Sequence, residues 1–149
     1  MRLADMERAI QMNATEKDPR FILSGPWKKF VRRQDGYKIF AVDGAWVRRN
    51  LSVLFGHGGH GFVHEFIPHD EIWVGTRHYN EGRWSEGHCD CKVREPNQAI
   101  SESDFRSTTL HEIVEHKLMK AGKRYWPAHQ QALRAERDAG WMKDPYDDR

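Results

Sequence analysis

Long apolar runs are missing from this chain of 149 residues, and so is any marked excess of charge of one sign. A membrane-spanning helix needs about 20 consecutive apolar residues, so no span is expected and no membrane partner. The opening MRLADMERAI holds Asp5 and Glu7 and no apolar stretch, which argues against a secretory signal and for a cytoplasmic setting. Net charge is only +2 with histidine neutral. Basic residues are dispersed apart from Lys28, Lys29, Arg32 and Arg33, too small a cluster to imply a nucleic-acid partner. Trp46, Trp73, Trp84, Trp126 and Phe62 follow no base-stacking pattern and read as core. Cysteine is scarce. Cys89 and Cys91 lie too close in sequence to cross-link distant parts of a fold, which removes disulfides as a source of stability. No repeat is visible.

What is present is a polar composition, 38% hydrophobic against 31% charged, in a length that suits one domain over residues 1–149. Leu3, Met6, Ala9 and Ile10 have helical spacing, so residues 1–35 read as a short helix and a lead-in. Over 36–75 the period changes. YKIFAVDGAWVRR, NLSVLFG, GFVHEFI and EIWV are rich in β-branched and aromatic residues and are separated by Asp43-Gly44, by 56–61 and by 68–70, which predicts a meander of four strands. Residues 76–104 lose periodicity and read as a long surface loop, a length that usually carries function. Residues 105–140 read as two helices in a hairpin, with Gly122 ending the first and Pro127 in the first turn of the second. The expected class is α+β: a small antiparallel or mixed sheet followed by two C-terminal helices. The tail WMKDPYDDR is expected to be loosely ordered.

The chemistry concentrates in HEIVEH, 111–116. At about 100° per residue, Ile113, Val114 and Leu118 gather round Leu110, with His111 and Glu115 along one edge of that stripe. His and Glu one turn apart can grip a divalent ion, and His129 on the following helix supplies a third ligand. His111, Glu115 and His129 then make the ligand types of a catalytic zinc, two imidazoles and one carboxylate. Glu112, beside His111, stands where a general base would take a proton from water, as in helix-borne HExxH hydrolases. The pattern resembles a zincin helix with Glu115 in place of the second histidine, and the resemblance implies a sheet backing the active-site helix. Tyr125 or a histidine of the glycine-rich loop is the expected oxyanion donor. Two rival readings stand beside this one. Glu112 and His116, also four apart, could be the ligand pair, on a face pointing away from the apolar stripe and open to water. Otherwise HEIVEH is a solvated helix whose carboxylates pair with Lys117, Lys120 and Lys123.

Other histidines cluster in GHGGHGFVHEFIPHD. His57 and His60 are candidates to orient substrate or support a ligand, the alternative being exposed side chains in a glycine-rich turn. His64, alternating in a predicted strand, points to the polar side. His88, Cys89 and Cys91 form a soft donor set that suits a second zinc, with His78 as a fourth ligand; the alternative is free thiols in the loop.

FIPHDEIWVG and TTLHEIVEHKLMKAGKRYWPAH together resemble a group of small bacteriophage and prophage proteins in which an IPxxEIW segment precedes a HExxE helix and an AH. The likeness covers 36–136. It implies a viral origin, a bacterial host cytoplasm and a metal-binding character, and points to Ile67, Pro68, Glu71, Ile72 and Trp73 with the helix residues, but implies no substrate. Glu71, at a strand end, is expected to hydrogen-bond a ligand histidine or contact substrate. The expected function is a zinc-dependent, metallopeptidase-like hydrolase acting on a peptide or protein. The alternatives are a phage accessory protein with a structural metal that binds a host factor, and a metal-free binding module.

Overall fold

The computed structural model describes residues 22–77 and 99–140, together with Lys17 and Arg20. The predicted helix at 3–11, the donor set of His88, Cys89 and Cys91, His78 and the tail lie outside the described residues. The elements are strands β1 (Lys28–Gln34) and β2 (Tyr37–Val42), helix α1 (Gly44–Asn50), strands β3 (Gly58–Gly59) and β4 (Glu71–Gly75), and helices α2 (Glu102–Lys120) and α3 (Tyr125–Asp138). The four strands form one mixed sheet in the order β1-β2-β4-β3, followed by the two long helices, an α+β fold. No described helix is long and apolar enough to cross a membrane.

The sheet is not a meander. β1 and β2 are antiparallel, but β2 and β4 run parallel, with Ile39 opposite Ile72 and Phe40 opposite Trp73. A parallel pair needs a crossover, and residues 43–70 supply it. Every residue of β4 is buried, because apolar groups cover both faces of this interior strand. On one face Tyr37, Ile39, Ile72 and Val74 pack against Ile113 of α2. On the other Val42, Trp73, Val47, Phe55 and Ile67 form a second cluster, with Trp27 stacked on Trp46 at 4.3 Å.

Three expected strand segments take other forms, each for a local reason. Asp43-Gly44 does not turn a hairpin: the Asp43 carboxylate accepts from the Trp46 amide at 3.1 Å, so it caps α1, and GAWVRRN is helical. NLSVLFG is a turn braced by the Ser52 hydroxyl, which accepts from the Leu54 amide, with Phe55 buried and Val53 and Leu54 outside. GFVHEFI winds through successive turns, with the amides of Val63 and His64 both donating to the His60 carbonyl. His64 accordingly does not alternate to a polar side but is buried against Phe55 and Phe66. Conversely, KKFVRRQ, read only as a basic cluster, is edge strand β1.

The helical hairpin forms as its punctuation suggests. Ser101 caps α2 by accepting from the Asp104 amide, so the helix starts three residues before the predicted boundary. Gly122 adopts φ +103, a conformation a side chain would strain, and Pro127 sits in the first turn of α3, where an amide has no intrahelical acceptor. Residues Arg77 and Ala99, near the two ends of the predicted long loop, are joined by an antiparallel bridge.

Glu71 makes a buried ion pair with Lys28 at 2.7 Å and accepts from the Trp73 indole at 2.9 Å. The Lys28 ammonium also donates to the Leu23 carbonyl and lies 4.3 Å from the Phe40 ring centre. This corrects the expected second-shell role of Glu71: its charge neutralises a lysine that pins the lead-in segment to the sheet. Lys28→Met would leave the carboxylate buried without its cation and is expected to cost ~3–5 kcal/mol in urea unfolding. Adding Glu71→Gln, which keeps an acceptor for Trp73, should recover part of that loss; strictly additive losses would show that the two charges are not coupled.

Burial, aided by the nearby His60 and Lys17, lowers the His64 pKa to about 4, against a smaller opposing effect of Glu115. The unfolded chain takes up this proton near the ordinary value of 6.5 and the folded chain only near 4, so stability falls as pH drops through that window. The contribution is on the order of 3 kcal/mol. His64→Leu should flatten the pH dependence of the unfolding free energy between these limits, and an unchanged slope would assign the acid sensitivity elsewhere.

Candidate metal centre

α2 is polar on two sides because it is enclosed on two sides. Towards α3 it presents His111 and Glu115, one turn apart. His129 stands near the start of α3, and Glu136 two turns further along the same face. His111 Nε2, Glu115 Oε2 and His129 Nδ1 form a triangle with sides of 2.9 to 3.1 Å. A tetrahedral ion with bonds of ~2.1 Å spaces its ligand atoms about 3.4 Å apart, so an opening of a few tenths of an ångström suffices. His111 and Glu115 are buried, and His129 is partly open to solvent. The structure thus brings the three expected ligands together.

The protons in this triangle decide what it can hold. The His111 Nδ1 lies 2.8 Å from Glu136 Oε2, a bond in which only the ring can be donor if the carboxylate is ionised. In the neutral ring the Nε2 lone pair then faces Glu115 and His129. Without a metal ion at least one of the two nitrogens must point a proton at Glu115, either from the neutral Nδ1–H tautomer of His129 or from a protonated His111, and a bound ion would take the place of that proton. Burial alone would lower the His111 pKa, but hydrogen bonds to Glu115 and Glu136 and the neighbouring Glu112 raise it to about 10. Glu115 is held below the usual carboxylate range, against the effect of its own burial, by hydrogen bonds with His111, His129 and His60. The donor set fits a borderline cation such as zinc, with Glu136 fixing the orientation of His111 in the manner of a carboxylate–histidine–metal chain.

On the sheet side α2 presents Glu112 and His116. The sequence predicted a face open to water; instead it is closed, with Glu112 7% and His116 2% exposed, because the sheet packs against it. β3 lies directly on it, and a Cβ on Gly58 would come within 2.8 Å of Thr108 Cγ2 and 3.2 Å of Glu112 Cγ. Glycine at 58 is what permits that approach. His116 is engaged at both nitrogens, Nδ1 with the Tyr37 hydroxyl at 2.8 Å and Nε2 with His69 at 3.1 Å, and burial lowers its pKa to about 3. The rival ligand pair is therefore disfavoured, because His116 is already committed. Glu112 differs: its Oε2 is buried without a hydrogen-bond partner. Burial, then the charges of Glu115 and Glu136, raise its pKa to about 8 despite the opposing His111.

Among the remaining expected residues, the Tyr125 hydroxyl is 3.4 Å from His129 Nδ1, with its ring stacked on the imidazole. His60 is fully buried with Nε2 2.8 Å from Glu115 Oε1. His57 is exposed, and its backbone carbonyl accepts from the Gly75 amide, so the β3–β4 edge uses its main chain. Glu136, and Ser107 which donates to it at 2.6 Å, were not foreseen. Their signal was spacing: Glu136 follows His129 by seven residues, and Ser107 precedes His111 by four, each on one helix face.

Comparison of the chain with protein-family models, curated protein sequences and solved structures finds no match.

Glu136→Gln keeps the size of the side chain but removes the charge that holds His111. If the triangle holds a divalent ion, this change should weaken its binding ~10- to 100-fold, read by competition with a chromophoric chelator. Unchanged affinity would mean that Glu136 serves only the packing of α3 on α2.

Proposed function

We propose that the protein is a zinc-dependent hydrolase, metallopeptidase-like, in which His111, Glu115 and His129 hold the ion. The observation that carries this reading is the convergence of three single ligand atoms from two helices beside a buried carboxylate, Glu112, with an unpartnered oxygen. Zinc, when bound, supplies Lewis acidity and a water whose pKa falls to about 7. Glu112 takes a proton at Oε2 and delivers it to the leaving group; burial raises its pKa and a cation held beside it would oppose that rise. Glu136 holds the His111 ring through Nδ1, and Tyr125 offers a hydroxyl beside His129 for a developing oxyanion. The arrangement is zincin-like in setting the metal helix against a sheet. The likeness to phage-encoded proteins adds a viral origin and a bacterial host cytoplasm, with a peptide or host protein as substrate. Depth of burial favours a second reading: Glu115 is only 2% exposed, which suits a structural ion in a phage accessory protein that binds a host factor.

Two variants separate these readings when metal content and cleavage of a peptide library are measured together. His111→Ala should lose zinc and stability, since binding free energy is in part folding free energy. Glu112→Gln should retain one equivalent of zinc and lose ~10²-fold or more of the hydrolysis rate. A wild-type protein that binds zinc and cleaves nothing supports the structural ion; one that binds no zinc removes both readings.

A further inference from the structure

His60, Glu112 and Glu115 also bring three ligand-type atoms within 4.8 Å of one another, all of them buried. Taken by composition, this is a second metal pocket sharing Glu115 with the first. The proton on His60 argues otherwise. Its Nδ1 accepts the backbone N–H of Phe62 at 3.2 Å, so that nitrogen carries a lone pair and the ring proton of the neutral form sits on Nε2. Nε2 faces Glu115 Oε1 at 2.8 Å and therefore donates to it. A nitrogen that donates has no lone pair for an ion. To become a ligand, His60 would have to move its proton to Nδ1, against the Phe62 N–H, and break both bonds.

We infer that His60 is a positioning residue that engages one oxygen of Glu115, so that Glu115 ligates through the other oxygen alone and the centre is mononuclear with an open coordination position. The inference rests on the metal-binding reading above and adds to it the coordination of the ion. The two carboxylate oxygens divide their partners as it requires. Oε1 receives His60, while Oε2 faces His111 and His129. A chelating carboxylate would turn both oxygens to the ion and fill the position that substrate or water needs. The surroundings prevent His60 from turning away. It is 0% exposed, two residues beyond the glycine at which β3 meets α2. Its ring is also flanked edge-on by His116 at 5.3 Å and Phe62 at 6.4 Å. The same division leaves the Glu112 Oε2 without a metal partner, which keeps it available for proton transfer.

The test is cobalt(II) substitution of the full chain with two polar replacements of His60. Gln places an amide where Nε2 stands and can still donate to Glu115; Asn reaches only as far as Nδ1, so it can serve Phe62 but not Glu115. Wild type and His60→Gln should each bind one equivalent and give the intense visible bands of a four-coordinate ion. His60→Asn should still bind one equivalent, with weaker bands as Glu115 closes on the ion with both oxygens, and with metal affinity reduced ~10- to 100-fold. Wild-type spectrum and affinity in His60→Asn overturn the inference while leaving the metal reading intact. A second equivalent in wild type that vanishes in His60→Asn also overturns it, in favour of a two-metal site. Absence of any bound cobalt or zinc in wild type defeats the metal reading and the inference with it.

Discussion

A carboxylate removed from water is among the most costly groups a small domain can contain, and here Glu115 is buried to 2% exposure among three imidazoles. Each imidazole comes from a different place: His60 from the turn after β3, His111 from one turn earlier on α2, His129 from α3. The charge therefore ties the sheet edge to both helices, and the sheet side and the helix side of α2 are coupled through a single side chain. Removing Glu115 would not simply delete a ligand; it would leave three inward-facing rings without the group that fixes their orientation.

The remainder of the fold serves this arrangement by enclosing it. β4, apolar on one face towards Ile113 and on the other towards Phe55, Ile67 and Val47, is the floor on which α2 rests. α3 closes the opposite side, with Phe62, Met119 and Ala128 packed between the helices and the loop. The result is an interior that is dry around the carboxylates yet open near His129, Tyr125 and Trp126. Proton-transferring groups gain strength from such surroundings, because a low dielectric amplifies their interactions.

Much of the candidate metal cluster was legible because helical geometry is regular. Spacings of three and four residues in HEIVEH, and a glycine and proline that bracket a turn, suffice to put His111, Glu115 and His129 side by side. What failed was the middle of the chain, where local composition competes with tertiary context. Trp46 and Val47, Phe55, and Phe62 and Ile67 are apolar for packing, while the Asp43 cap, the Ser52 turn and the turns on the His60 carbonyl decide the backbone of their segments. β1 was hidden because the lysine and arginine stems on an edge strand look like a charge cluster in sequence, although Lys28 delivers its ammonium into the interior. For Glu136 the seven-residue spacing from His129 marks a shared helix face but does not say that His111 lies opposite it until the two helices are packed together.

The bridge between Arg77 and Ala99 gives the chain a modular joint. Arg77 and Ala99 meet at one point, so the number of residues that separates them in sequence bears only weakly on the entropy of closing the fold, which grows with the logarithm of loop length. β4 before the bridge and α2 after it can therefore keep their register whatever length of sequence separates them.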